Sequence, residues 1–160
     1  MTAGAPTPQE GPPRASRDEV ARVPAQTDAG GEWLLEGRAA FERGRIADAI
    51  DCFRRVIDAG SAAPEAYLYL GIALAKDAQV YEAIDIFEAG LALAPDDFML
   101  NLTLADLYFR LSVPDKGRRY LQVARDGCST PSGRQLVQAL LSREADREKR
   151  RIDRPTFERS

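Results

Sequence analysis

The sequence predicts an all-α solenoid of three helix pairs closed by a C-terminal capping helix. Three observations carry this prediction. From Gly30 onward, apolar residues recur at helical spacing. The pattern then returns every 34 residues without a gap: Leu34, Leu68 and Leu102; Phe53, Phe87 and Leu121; Gly37, Gly71 and Ala105. No stretch alternates apolar and polar residues as a half-buried strand would. A unit of this length cannot bury its apolar face alone, so successive units must stack over one continuous core.

The elements follow in order. Residues 1–29 hold Pro6, Pro8, Pro12, Pro13 and Pro24 among small and charged residues. Few large apolar side chains are present to offset the entropy of ordering, so disorder is expected there. Ser16 to Glu19 could cap one helical turn, which Pro24 would stop. The first unit, 30–63, is expected to hold helices at 31–43 and 46–59. The second, 64–97, holds 64–77 and 80–93, and the third, 98–131, holds 98–111 and 114–127. Pro95 ends a helix, and Pro114 opens one at the position where its missing N–H is not needed. A capping helix is expected over 132–152, with Leu136, Val137, Leu140 and Leu141 as its apolar face, and a flexible tail over 153–160. Such a cap covers the last unit's core.

Small and large residues alternate between units in a way that packing explains. Gly37, Gly71 and Ala105 allow close approach of the two helices within a unit, opposite Ala49, Ala83 and Gly117. Phe53, Phe87 and Leu121 fill the space between a unit and its successor.

These residues carry a resemblance to the tetratricopeptide repeat family, whose 34-residue signature is an aromatic, Leu-Gly, an aromatic, then Ala, Phe and Pro. The middle unit matches best, with Tyr67, Leu70-Gly71, Leu74, Ala83, Phe87 and Pro95. The first departs with Glu36 for the Leu and Ser61 for the Pro; the third has Asn101 for the first aromatic and Ser129 for the Pro. The resemblance covers about 30–131 and implies a right-handed superhelical solenoid that binds another protein and catalyses nothing.

Composition limits the alternatives. The net charge of −3 does not suit a nucleic-acid binder. The mixed charges from Arg143 to Arg154 read as a solvated helix with side-chain pairs such as Glu144 with Arg147. No apolar run is long enough to insert in a membrane, and no signal core follows the start, so a cytoplasmic location is expected. Cys52 and Cys128 read as reduced. Histidine is absent, which removes His-based triads and His-rich zinc sites. Asp96-Asp97 reads as a helix N-terminal charge pair and not a metal site, and Asp51, Asp85 and Glu88 as solvated. No cofactor or metal is expected.

In the resembled family the first helix of each repeat lines the concave face. One residue on from the packing stripe, about 100° around the helix, lie Leu34, Arg38 and Phe41 in the first repeat. Their counterparts are Leu68, Ile72 and Ala75, then Leu102, Asp106 and Phe109. Met99 and Glu65 are expected at the groove edge, with Lys76 and Arg110 at its far side. The alternative is that the stripe is core, covered by neighbouring helices. An exposed apolar stripe marks an interaction site for a partner's extended peptide or amphipathic helix. Family members that recognise the acidic C-terminus of heat-shock chaperones place Lys and Asn here, where this chain has Leu34, Arg38, Leu68, Ile72 and Asp106. That role is not expected. The architecture also resembles the translocator chaperones of type III secretion, which hold hydrophobic secreted proteins in the groove. A homodimer through the uncapped Trp33 end is a further expectation.

Overall fold

The computed structural model describes residues 29–60 and 63–152. The expectations for the N-terminal segment before Ala29 and for the tail from Asp153 lie outside the described residues. Seven helices and no strand are found among those described: α1 (Ala29–Glu42), α2 (Ile46–Asp58), α3 (Pro64–Lys76), α4 (Val80–Leu93), α5 (Phe98–Arg110), α6 (Pro114–Asp126) and α7 (Pro131–Ile152). They form a superhelical solenoid of helix pairs. α1 packs on α2, α3 on α4 and α5 on α6, while α2 also packs on α3. The first helices of the pairs, α1, α3 and α5, lie side by side, and α7 lies against both α5 and α6.

The pairs are built on the residues that the recurrence singles out. A side chain on Gly37 would run into the Phe53 ring, its Cβ only 2.6 Å from the nearest ring carbon, and Gly71 meets Phe87 in the same way. Phe53 is fully buried and stacks on Tyr69 of the next repeat, with ring centroids 5.6 Å apart. Ala49 and Ala83 are fully buried on the facing helices.

Each turn within a pair uses one left-handed residue. Gly44, Ala78 and Ser112 have φ of 76°, 63° and 60°, at the 34-residue spacing. The next residue's N–H reaches back to the helix: Arg45 to the Ala40 carbonyl, Gln79 to Leu74 and Val113 to Tyr108, each at 2.9 Å. This is the Schellman closure, which satisfies a carbonyl that the helix end leaves open. Asp97 caps α5, its Oδ1 accepting from the Leu100 N–H at 2.8 Å, so one of the two adjacent aspartates has a structural role.

The core has two parts that meet on α5. Leu100, Leu104, Leu107 and Tyr108 point into a cluster shared with α1 to α4. Leu102, Ala105 and Phe109 point into a second cluster with Leu121, Ala124, Val137 and Leu140 of α6 and α7. The expected face of α7 needs correction. Val137 and Leu140 are buried, but Leu136 and Leu141 are exposed. The inward stripe is Gly133, Val137, Leu140, Glu144 and Arg147, which changes from apolar to charged as the helix proceeds. Glu88 is exposed, as expected, and also accepts hydrogen bonds from the hydroxyls of Tyr108 and Tyr120, both at 3.3 Å. Cys52 and Cys128 are free thiols. Burial, with Glu36 nearby, raises the Cys52 thiol above its ordinary range, which keeps it protonated and unreactive.

Candidate protein-interaction groove

In the first two repeats the expected stripe is partly open to solvent. Leu34 and Phe41 of α1, and Leu68, Ile72 and Ala75 of α3, are half-buried, with one side on the core. Cations lie over this apolar surface. The Lys76 Nζ is 4.3 Å from the centre of the Phe41 ring. The Arg38 guanidinium lies 5.3 Å from the centre of the Tyr69 ring and 3.4 Å from Glu65 Oε1. A cation held on an aromatic face hides part of that face from water while leaving its own charge free to pair. Met99, at the edge, is 40% exposed.

Between α3 and α5 the surface sinks into a depression of about 260 Å³. Ile72, Ala75 and Lys76 form one wall and Thr103, Asp106 and Arg110 the other. Five of the expected groove residues thus converge here from two repeats. Arg110 also borders a second depression, of about 380 Å³, where it faces Arg147, Arg150 and Arg151 of α7 beside Glu144 and Glu148. The far end of the groove therefore carries an excess of positive charge.

The third repeat departs from expectation. Leu102 and Phe109 are only 8% and 4% exposed, so neither lines an open groove. Two causes act together. α7 lays Val137 and Leu140 onto this stripe. Gly117 removes the side chain that would oppose Phe109, since a Cβ there would lie 2.7 Å from the ring. The corresponding position in the first repeat is Ala49, and there the phenylalanine of the stripe, Phe41, is half-buried. Asp106 is engaged as well, by Arg147 at 3.6 Å and Arg143 at 3.7 Å. Glu144 stands 3.8 Å from Arg147, which completes a charged cluster at the wall of the depression. Asp106 Oδ1, Glu144 Oε2 and Arg147 Nη1 make no hydrogen bonds, so the cluster is held by charge alone.

The roles of Arg143 and Arg147 were not read from the sequence, where both appeared part of a solvated helix. The available signal was the inward stripe from Gly133 to Arg147, at steps of three or four residues. Among the described residues there is no group of three or more His, Cys, Asp or Glu placed to hold a metal ion. Nor is any helix long and apolar enough to cross a membrane.

The stacked pairs and their concave stripe define a helical-repeat protein of the kind that presents an extended binding surface. Residues 34–98 match the family model of the tetratricopeptide repeat. The chain is a protein-interaction module of that type. The family is generally a non-catalytic fold. A comparison with curated protein sequences gives no match.

Solved structures share the architecture. The translocator chaperone SycD of Yersinia enterocolitica, described as an alternative dimer, is similar at a TM-score of 0.69 and 16% identity, over 76% of this chain and 96% of that one. The TPR2B domain of yeast Sti1, in a complex with pHsp70, gives 0.70 and 18%, over 76% and 99%. PcrH, in complex with the chaperone binding region of PopB, gives 0.64 and 17%, over 72% and 94%. At these identities the likeness is one of fold.

Proposed function

We propose that the chain binds a segment of a partner protein along α1, α3 and the near side of α5. The partner's apolar side chains would lie on Leu34, Phe41, Leu68 and Ile72, with Met99 at the edge. Arg38, Lys76 and Arg110 would set polarity and register, with Asp106 contributing from within its cluster with α7. Leu102 and Phe109 support the surface from beneath without touching the partner. The observation that carries this reading is the depression in which Ile72 and Lys76 face Asp106 and Arg110. Pocketed apolar anchors flanked by fixed charges suit an extended peptide or the face of an amphipathic helix. The positive far end favours a partner that is acidic there. No catalytic step, cofactor, nucleic acid or membrane insertion is part of this reading, and the site of action proposed is the cytoplasm.

The test is affinity purification from the native cell, comparing wild type with Leu68→Glu plus Ile72→Glu. Both positions are half-buried, so the folded state should persist, as circular dichroism would check. Loss of the captured partner, by more than about tenfold, is expected. A folded double variant that captures the partner undiminished would sink the groove.

A second reading, a chaperone for hydrophobic secreted proteins, is favoured by one observation. The likeness spans 96% of SycD and 94% of PcrH, not a fragment of either. An insoluble protein encoded nearby that becomes soluble on co-expression would support it over a general adaptor. Self-association is proposed through α1, where Leu35 is 67% exposed beside Trp33. Light scattering on Leu35→Glu would detect its loss.

A further inference from the structure

The three repeats place different side chains at one register position: Trp33, Tyr67 and Asn101. In the second repeat, Tyr67 packs on α4 so closely that a Cβ on Gly90 would lie 2.8 Å from its own Cβ. In the third repeat the side chain is shorter, and Asn101 turns back toward the chain. Its Nδ2 donates to the carbonyls of Pro95 and Asp97, both at 2.8 Å. Asn101 is itself buried, so the turn between α4 and α5 is tied down from inside. Beside it, between α4 and α6, is a depression of about 420 Å³. That volume is in the range of small-ligand sites, about 300–1,000 Å³.

The floor is apolar, made of Leu91, Pro95, Tyr120 and Val123, the last 38% exposed. The rim carries Lys116 and Arg119, and no acidic residue lines the depression. Arg119 makes no ion pair among the described residues, and Lys116 only rests over the Tyr108 ring at 5.1 Å. Both charges are available, on a chain whose net charge is −3.

We propose that this depression receives an aromatic side chain of a partner protein whose neighbouring residue is a carboxylate. The ring takes the place next to Asn101 that an aromatic residue of the repeat itself would otherwise use. The carboxylate pairs with Arg119 and Lys116 at the rim. The site lies between the second helices α4 and α6, with Asn101 of α5 at its edge, apart from the groove, and does not depend on that reading.

The test is a titration of the full chain, isotopically labelled, with acetyl-Phe-Glu-amide, followed by amide chemical shifts. Saturable shifts at Leu91, Tyr120 and Val123 are expected. Acetyl-Phe-Lys-amide should bind roughly fivefold more weakly, from the reversed charge at an exposed rim. Acetyl-Ala-Glu-amide should give no saturable shifts. Asn101→Tyr fills the space with the repeat's own ring and should abolish binding. Val123→Asp, at an exposed position, should do the same should the first variant not fold. Three results would overturn the proposal: absence of saturable shifts, equal binding by the Lys peptide, or binding retained in the folded variants. A fourth is shifts at these amides that grow with protein concentration alone, since a second copy would then be the occupant.

Discussion

The first and third repeats carry a phenylalanine at the same register and treat it differently. Phe41 sits half-buried under the Lys76 ammonium, on a surface that stays accessible. Phe109 sits on Gly117 and beneath α7, fully within the second core cluster. The difference goes with Gly117 where the first repeat has Ala49, and with one extra helix at the end of the solenoid. It shows that a concave stripe in a repeat protein stays open only where no later element lies on it. α7 covers the apolar stripe of the third repeat with Val137 and Leu140, and brings Arg143 and Arg147 to Asp106.

The largest expected effect separates the two phenylalanines. Phe109→Ala should destabilise the chain by about 3–5 kcal/mol, the cost of truncating a buried ring. Phe41→Ala should cost only about 1–2 kcal/mol, since much of its surface already meets water. Urea unfolding compares them, and equal losses would break the distinction. A smaller contrast concerns the charges. Arg147→Ala leaves Glu144 without its cation and Asp106 with Arg143 alone, at a cost of about 1–2 kcal/mol. Arg38→Ala should cost under about 1 kcal/mol, because its pair with Glu65 is exposed.

The turns give the next effect. Ala78 and Ser112 hold a left-handed conformation that disfavours any side chain, whereas the first repeat uses Gly44. Ala78→Gly and Ser112→Gly should each stabilise by about 0.5–1 kcal/mol, with Gly44→Ala moving the opposite way. Thermal unfolding would check the sign. An Ala78→Gly loss would show that backbone entropy outweighs the strain.

The smallest effect is at high pH. Burial first, then the Glu88 carboxylate, raises Tyr120 to about 12, and the same two causes raise Tyr108. An unfolded tyrosine ionises near about 10. The contribution of Tyr120 is therefore complete below about pH 10 and is lost as the pH rises toward about 12. Tyr120→Phe should flatten the decline in stability over that window, read from denaturation midpoints at a series of pH values. An unchanged slope would remove Tyr120 from this role.

Much of this was legible in the residues themselves. The helix limits fall within two residues of those expected for the six repeat helices, because the apolar spacing and the turn residues are local properties. The close approaches at Gly37 and Gly71 follow from the same recurrence. The face of α7 was misjudged because Leu136, Val137, Leu140 and Leu141 offer two adjacent apolar stripes. Only the tilt at which the helix meets α5 and α6 chooses between them. Asn101 was visible as a departure from the pattern, but its turn contacts and the depression beside it were not.

By itself, then, the sequence determined the repeat register, the helix pairs, the turns and the stripe of residues facing one side. These depend on the period of the helix and on near neighbours in the chain. The tertiary structure alone decided which part of the stripe stays open. Exposure depends on what arrives from elsewhere, and Val137, Leu140, Arg143 and Arg147 come to Leu102, Phe109 and Asp106 from about one repeat length further along the chain.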